Sequence, residues 1–287
     1  TPLYVYSSGA MLDALAAYQR GFAGRRVQIC YAMKANSSLA VLQLFAARGC
    51  GFDIVSGGEL ARVLAAGIAA GRVDTPGFLG LHLEGPHLDP RRAGAHDAAL
   101  IRPMTDADMA ALIAARADLP ALMVTLAPEA ATPAQIARLA AAGVVVSLGH
   151  SDATAVETEA ALAAGAGNFT HIFNAMSQMQ GREPGMVGAA ILSDAEIGLI
   201  CDGHHVSDAM LTLALRAHGA GRCHIVSDAM PTVGGPDHFT LYGQTIRVAD
   251  GRLINAEGRL AGAHTTMAEG VARLVTTLGQ PLETALR

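Results

Sequence analysis

Six short apolar runs in this chain each end in a polar group able to do chemistry: FLGLHLEGP, ALMVTLAPE, VVVSLGHSD, NFTHIFNAM, IGLICDGHH and CHIVSDAM. Ala- and Leu-rich segments of helical spacing, such as TPAQIARLAAAG and DATAVETEAALAAGAG, separate them. Short apolar runs bounded by turn residues read as strands. Strands alternating with helices imply parallel pairing through right-handed crossovers. Upstream, GAMLDALAAYQRGFAG is a helix, VQICYAMKAN and GFDIVSGG are two further strands, and each strand leads into a helix, SSLAVLQLFAARG with Ser at its N-cap and ELARVLAAGIAAG. Two strands and six make eight, so the expected fold class is α/β, a (β/α)8 TIM-type barrel forming a single domain over 1–287. One segment breaks the rhythm: HFTLYGQTIRVADGRLINAEGRLAG reads as a short β-hairpin insertion after strand 8.

Composition narrows the function. The formal net charge of −5 argues against a nucleic-acid partner. Trp is absent and aromatics are 4%, so the core has to be built from Ala, Leu, Val and Ile. Cys30, Cys50, Cys201 and Cys223 lie far apart with no Cys-x-x-Cys, which reads as buried free thiols in a reducing compartment. No apolar stretch reaches the ~18 residues of a membrane span, and no signal peptide opens the chain, so a cytoplasmic location without a membrane partner is expected. The two parts are unlike. Residues 1–76 hold seven Lys/Arg against four Asp/Glu and include the sole lysine, Lys34, whereas all 11 histidines fall at His82 or later.

Strand ends of a (β/α)8 barrel supply its active site. Glu84, in LHLEGPH, is followed by a Gly-Pro turn; His150 ends VVVSLGH and His171 follows NFT. One carboxylate and two imidazoles suit a divalent metal with an open position for water. Asp228, at the end of the eighth strand, is the candidate general base and acid. His96 can polarise a carbonyl or hold a sugar hydroxyl, and Arg182, in GREPG, is a candidate phosphate clamp. Asp202-Gly203-His204-His205 ends the seventh strand, with His205 the better ligand contact and His204 structural. His82, His87, His218, His224, His238 and His264 carry no functional expectation.

LGLHLEGPHLDPRRAGAH, SLGHSDAT, THIFNAM, GREPG, CDGHHV and IVSDAM, in that order, resemble N-acetylglucosamine-6-phosphate deacetylases of the amidohydrolase superfamily. The resemblance covers about residues 77–287, strands 3–8. It implies hydrolysis of N-acetylglucosamine 6-phosphate to glucosamine 6-phosphate and acetate. It also implies metal ligation by Glu84, His150 and His171 and acid–base chemistry by Asp228. Ala95, His96, Asn174, Ala175, Arg182, His205 and the Leu260-Ala261-Gly262 loop are then the substrate contacts, with an amino-sugar phosphate as the small-molecule partner. One divalent metal is expected, Zn²⁺ first, with Fe²⁺ or Mn²⁺ as alternatives. A homodimer is compatible with this, since a phosphate clamp such as Arg182 can be shared with a neighbouring subunit.

The N-terminal segment resembles something else. TPLYVYS, YAMKANSS and GFDIVSGGELARVLAAG, within 1–73, are similar to the start of pyridoxal-phosphate-dependent diaminopimelate decarboxylases, themselves barrels. That resemblance makes Lys34 the position of a Schiff-base lysine. The later glycine-rich phosphate loop, the histidine and the C-terminal domain of that family are not found downstream, so a working pyridoxal-phosphate site is not expected. The two resemblances meet in AGRVDTPGFLG. They imply a chimeric barrel, with decarboxylase-like strands 1–2 in residues 1–76 and deacetylase-like strands 3–8 in 77–287. Where the deacetylase family often carries His-x-His for a second metal, this chain reads CYAMKAN, and the family's small β-sandwich is expected to be absent. A decarboxylase-like protein using Lys34 and a folded inactive chimera are the alternative readings.

Overall fold

The computed structural model describes residues 6–23, 29–33, 36–54, 62–63 and 80–286. Lys34 and nearly all of the AGRVDTPGFLG seam lie outside the described residues. Eight parallel strands follow one another in a single sheet in chain order, the order of a TIM-type barrel. They are β1 (Cys30–Ala32), β2 (Gly51–Ile54), β3 (Leu81–Glu84), β4 (Leu122–Leu126), β5 (Val144–Leu148), β6 (Asn168–Phe169), β7 (Glu196–Ile200) and β8 (Cys223–Val226). After β8 a separate antiparallel sheet forms from β9 (His238–Leu241), β10 (Gln244–Ala249) and β11 (Arg252–Ile254), with β10 in the middle.

Local sequence explains the helices that link the strands. The helices Asp106–Asp118, Pro133–Ala141, Ala155–Ala163 and Met267–Thr276 all begin with a capping box. In each, a threonine (105, 132, 154 or 266) accepts the backbone N–H three residues on, and the Asp, Gln or Glu there returns the bond. Two otherwise orphaned donors are satisfied at each start. Chain reversal after the second and third of these helices falls on Gly143 (φ 81°) and Gly165 (φ 110°), where a side chain would strain the backbone.

The strands alternate two rows. Leu81 and Leu83, Leu122, Val124 and Leu126, and Val144, Val146 and Leu148 are all at most 4% exposed and belong to the main core. The paired register puts Glu84, Thr125 and Ser147 in the opposite row, with His82, Met123 and Val145 one step earlier. Since Glu84 belongs to the barrel mouth, that second row faces the barrel interior. It is polar near the mouth. Asn168 Nδ2 donates to Ser147 Oγ (2.7 Å), and the Oγ atoms of Ser147, Thr170 and Thr125 continue the chain (2.6 and 2.7 Å) to His82 Nε2 (2.7 Å). One proton direction satisfies every member: amide, three hydroxyls in turn, then an imidazole acceptor.

The expectation of buried thiols holds for part of the set. All four cysteines are free, but only Cys50 and Cys201 are buried; Cys30 is exposed and Cys223 half-buried. Among the described residues no helix is long and apolar enough to cross a membrane.

The two rows of β5 should respond differently to truncation. Leu148 is 0% exposed and Val145 40%. Leu148→Ala should cost about 2–5 kcal/mol in urea denaturation, whereas Val145→Ala should change the midpoint far less. Equal losses would contradict this assignment of the faces.

Candidate active site

Glu84 is the last residue of β3, while His150, His171 and Asp228 each stand two residues beyond the end of β5, β6 and β8. Those three share a left-handed backbone, with φ of 49°, 30° and 47°. Such a conformation costs a residue with a Cβ about 1–2 kcal/mol, and its recurrence at equivalent positions marks a common device for turning a side chain inward. Main-chain bonds hold each turn: Asp89 N–H donates to His150 O (2.9 Å), Ile172 N–H to Gly198 O (2.8 Å) and Ala263 N–H to Asp228 O (2.8 Å). The third belongs to a parallel bridge between Ala229 and Ala263, so the 260–263 loop steadies Asp228 through its backbone.

The result is a tight cluster. Glu84 Oε1 lies 3.1 Å from His150 Nε2 and 3.0 Å from His171 Nε2, and the two Nε2 atoms are 3.2 Å apart. His150 Nδ1 lies 2.8 Å from the Arg92 carbonyl oxygen. A carbonyl only accepts, so Nδ1 carries the hydrogen and the Nε2 lone pair of the neutral ring faces the cluster. His171 Nδ1 is buried with no hydrogen-bond partner, so nothing in its surroundings forces a hydrogen onto Nε2. Three electron-rich atoms therefore crowd one point with at most one proton among them. A cation there converts mutual repulsion into ligation. The spacing fits, since ligands ~2.1 Å from a tetrahedral ion stand about 3.4 Å apart. Among the described residues this Glu–His–His group is the one set of three or more side chains that could hold a metal ion.

Electrostatics agree with an ionised carboxylate. Burial alone would raise the Glu84 carboxyl, but the imidazoles of His150, His171 and His96 gathered around it hold it well below the ordinary range. Burial keeps His150 down, whereas for His171 the Glu84 charge outweighs burial and draws the ring up. His96 Nε2 sits 3.5 Å from Glu84 Oε2, and its ring meets that of His150 edge-on.

A cavity of about 520 Å³ opens over the cluster. Of the residues singled out from sequence, Glu84, Ala95, His96, His150, His171, Asn174, Ala175, His205, Asp228, Leu260 and Gly262 line it. Others lie elsewhere. Ala261 is 3% exposed and packs with Met230, Ile246 and Leu253 in a small core under the antiparallel sheet. Asp202 stands behind His205: its carboxylate accepts His205 Nδ1 (2.6 Å) and the main-chain N–H groups of His204 and His205 (2.8 and 2.9 Å). Gly203 is covered by the Arg273 guanidinium, which would lie 2.3 Å from a Cβ there. His204 is exposed and rests against Gly251 in the turn after β10. Arg182 is exposed and is not part of the lining, while the adjacent Glu183 accepts the N–H groups of Ala155 and Gly185. Asn174 spends its amide on the carbonyls of His171 and Ile172, bracing the turn that carries His171.

Sequence reasoning missed part of the wall. Leu100, Met230, Leu241 and Tyr242 also line the cavity. Leu241 and Tyr242 form the turn between β9 and β10, and their only sequence signal was the Leu-Tyr-Gly of a hairpin tip. That a hairpin tip reaches the barrel mouth is a tertiary fact.

Comparisons with known proteins divide as the motifs do. Residues 9–76 match the family model described as pyridoxal-dependent decarboxylase, pyridoxal binding domain. An N-acetylgalactosamine-6-phosphate deacetylase of Shewanella sp. (strain ANA-3) is 40% identical over 214 residues, which are 74% of this chain and 54% of that protein. The N-acetylglucosamine-6-phosphate deacetylase of Haemophilus influenzae is 37% identical over 213 residues, 73% of this chain and 55% of its own length. The chain thus spans about half the length of these curated relatives. Among solved structures, the N-acetylglucosamine-6-phosphate deacetylase of Pasteurella multocida superposes with a TM-score of 0.80 at 30% identity, over 90% of this chain and 72% of that one. A Mycobacterium smegmatis N-acetyl-D-glucosamine-6-phosphate deacetylase mutant, in complex with N-acetyl-D-glucosamine-6-phosphate, gives 0.76 at 31%, with the same coverages of 90% and 72%.

The bonds to Asp202 have a measurable consequence. Burial would raise its carboxyl, but the donors from His205 and the main chain lower it from 3.8 to about 2. A depressed carboxyl adds stability that is full above the unfolded value and is lost as pH falls through the folded one, here from about pH 4 to pH 2. The contribution is about 2 kcal/mol. The urea midpoint of the wild type should therefore fall between pH 5 and pH 2 by more than that of Asp202→Asn. Parallel pH profiles would count against the assignment.

Proposed function

We propose, since this chain belongs to the family of N-acetylglucosamine-6-phosphate deacetylases, that its barrel mouth hydrolyses the acetamide of N-acetylglucosamine 6-phosphate to glucosamine 6-phosphate and acetate. The observation that carries this reading is the Glu84–His150–His171 cluster on the floor of a cavity that Asp228 also lines. A divalent ion held there, Zn²⁺ by the chemistry of one oxygen and two imidazole donors, supplies Lewis acidity toward the acetyl carbonyl and acidifies a water. Asp228 takes a proton from the attacking water and returns it to the amine nitrogen as the C–N bond breaks, so the proton balance closes within the site. His96, beside Glu84, is placed to donate to the acetyl oxygen as charge develops on it. His205, with Nδ1 spent on Asp202, has Nε2 left for a hydroxyl or phosphate oxygen of the sugar. Arg182, exposed outside the cavity, suits a phosphate clamp shared between two copies of this chain.

The Shewanella relative favours a second reading of the sugar alone, N-acetylgalactosamine 6-phosphate, which differs in one hydroxyl configuration. A further part of the proposal concerns ancestry. The decarboxylase match ends at residue 76, and the metal cluster begins at Glu84. Both support a single barrel that joins decarboxylase-like strands 1–2 (1–76) to deacetylase-like strands 3–8 (77–287). Lys34, outside the described residues, would then be inherited rather than employed.

Acetate release should be measured with added Zn²⁺ on both sugar phosphates, for the wild type and Asp228→Asn. The expected outcome is release from at least one sugar that falls about 10²–10⁴-fold in the variant. Undiminished release by Asp228→Asn would remove Asp228 from the mechanism. No release from wild-type protein that holds the metal would leave the deacetylase as ancestry only. An absorbance band of an internal aldimine after addition of pyridoxal phosphate would instead favour chemistry at Lys34.

A further inference from the structure

The turn Asp89–Arg92 is tied to residues 150–152 at three points. Asp89 N–H donates to the His150 carbonyl (2.9 Å), and His150 Nδ1–H donates back to the Arg92 carbonyl (2.8 Å). The Arg92 guanidinium then reaches across to Asp152, its Nε 2.9 Å from Oδ1. Asp152 is itself held, because its N–H donates to Glu129 Oε1 (2.8 Å) and Arg91 Nη1 stands 3.4 Å from its Oδ2. Asp89 caps the turn by accepting Arg91 N–H (2.9 Å) and binds the Arg91 guanidinium. The chain leaving the turn presses on the same histidine: a Cβ on Gly94 would lie 3.0 Å from His150 Cε1.

From this arrangement we propose that Asp152 is a positioning residue for His150, acting through Arg92. The carboxylate holds the guanidinium, the guanidinium holds the turn, and the turn's carbonyl fixes which ring nitrogen of His150 is free and where it points. The proposal rests on the reading of Glu84, His150 and His171 as metal ligands. It goes beyond that reading in assigning a role to an ion pair that touches neither metal nor substrate. Arg92 and Asp152 side chains are 36% and 30% exposed, and a pair that open to water adds little to global stability. The effect of breaking it belongs in ligand geometry, where groups that orient a metal-binding histidine alter affinity by about 10–100-fold. Arg92→Ala is informative because it removes the guanidinium and leaves the carbonyl that accepts from His150.

The test is Zn²⁺ affinity of the full chain, freed of metal and titrated in competition with a chromophoric chelator, alongside the melting temperature of the metal-free protein. Asp152→Asn and Arg92→Ala should each weaken Zn²⁺ binding at least ~10-fold, and the double variant should lose no more than the worse single one, as for residues in one chain of contacts. Arg92→Lys, which keeps the charge, should recover part of the loss, and it remains readable if Asp152→Asn folds poorly. Asp194→Ala, which breaks an exposed pair with Arg222 far along the sequence, should bind as the wild type does. Single variants within twofold of a tightly binding wild type, or fully additive losses in the double, would overturn the positioning role while leaving the metal centre standing. A wild type no tighter than Glu84→Ala would overturn the metal centre itself, and the positioning role with it.

Discussion

The crowding of Glu84 Oε1, His150 Nε2 and His171 Nε2 within 3.0–3.2 Å is the constraint around which this barrel is arranged. Buried lone pairs without a proton or a cation between them repel and lose hydration at once. The fold has to supply the approach of three separate strand ends and the rigidity that keeps them from relaxing apart. It does so with parallel ladders that place β3, β5 and β6 close together with β4 between the first two. Left-handed turns just beyond β5 and β6 tip the imidazoles inward. A cation would satisfy all three atoms together, and that is the ground on which the metal site is proposed.

Beneath the cluster the barrel interior continues the theme of fixed polarity. The chain from Asn168 through Ser147, Thr170 and Thr125 to His82 gives every buried hydroxyl both a donor and an acceptor role. A polar inner row satisfied in this way is rigid, since moving one member strands its neighbours. The outer row is apolar throughout, aliphatic but for Tyr31, Phe52 and Phe169, and seals the sheet against its helices. Strands such as LHLE, LMVTL and VVVSL thus carry two instructions at period two: an apolar residue toward the helices, and an inward row that turns polar near the mouth, where Thr125 and Ser147 join the ladder and Glu84 meets the two histidines. His82, which carried no functional expectation, is the terminus of this ladder.

The N-terminal strands are built from different material. Tyr31 on β1 stacks on Phe45 at 4.4 Å and meets Phe52 on β2 edge-on at 6.3 Å. A core of aliphatic residues, as composition suggests, describes β3 to β8 apart from the buried Phe169 on β6, but not β1 and β2. β2 nonetheless pairs in register with β3, Phe52 opposite Leu81 and Ile54 opposite Leu83. A parallel ladder asks only for main-chain bonds and compatible side-chain faces, so strands that resemble different families can share it.

Much of this was legible beforehand. Alternating strand and helix signals, apolar runs bounded by turn residues and segments of helical spacing, named the elements and the parallel order, because those signals are local and each residue carries its own part. The meeting of Glu84, His150, His171 and Asp228 at one cavity was legible as well, since each ends or follows an apolar run and strand ends of such a fold face one mouth. What sequence left open is contact between segments far apart in the chain. That Ala261 packs into a second small core, that Gly203 lies under Arg273, and that Leu241 and Tyr242 wall the cavity all depend on how loops fold back over the barrel. The clasp between Arg92 and Asp152 is of the same kind, two charges 60 positions apart. Periodicity and propensity act over a few residues, so they determine which groups a strand delivers. Only the packing of loop on loop decides which of those groups meet, because that depends on distances the local pattern does not encode.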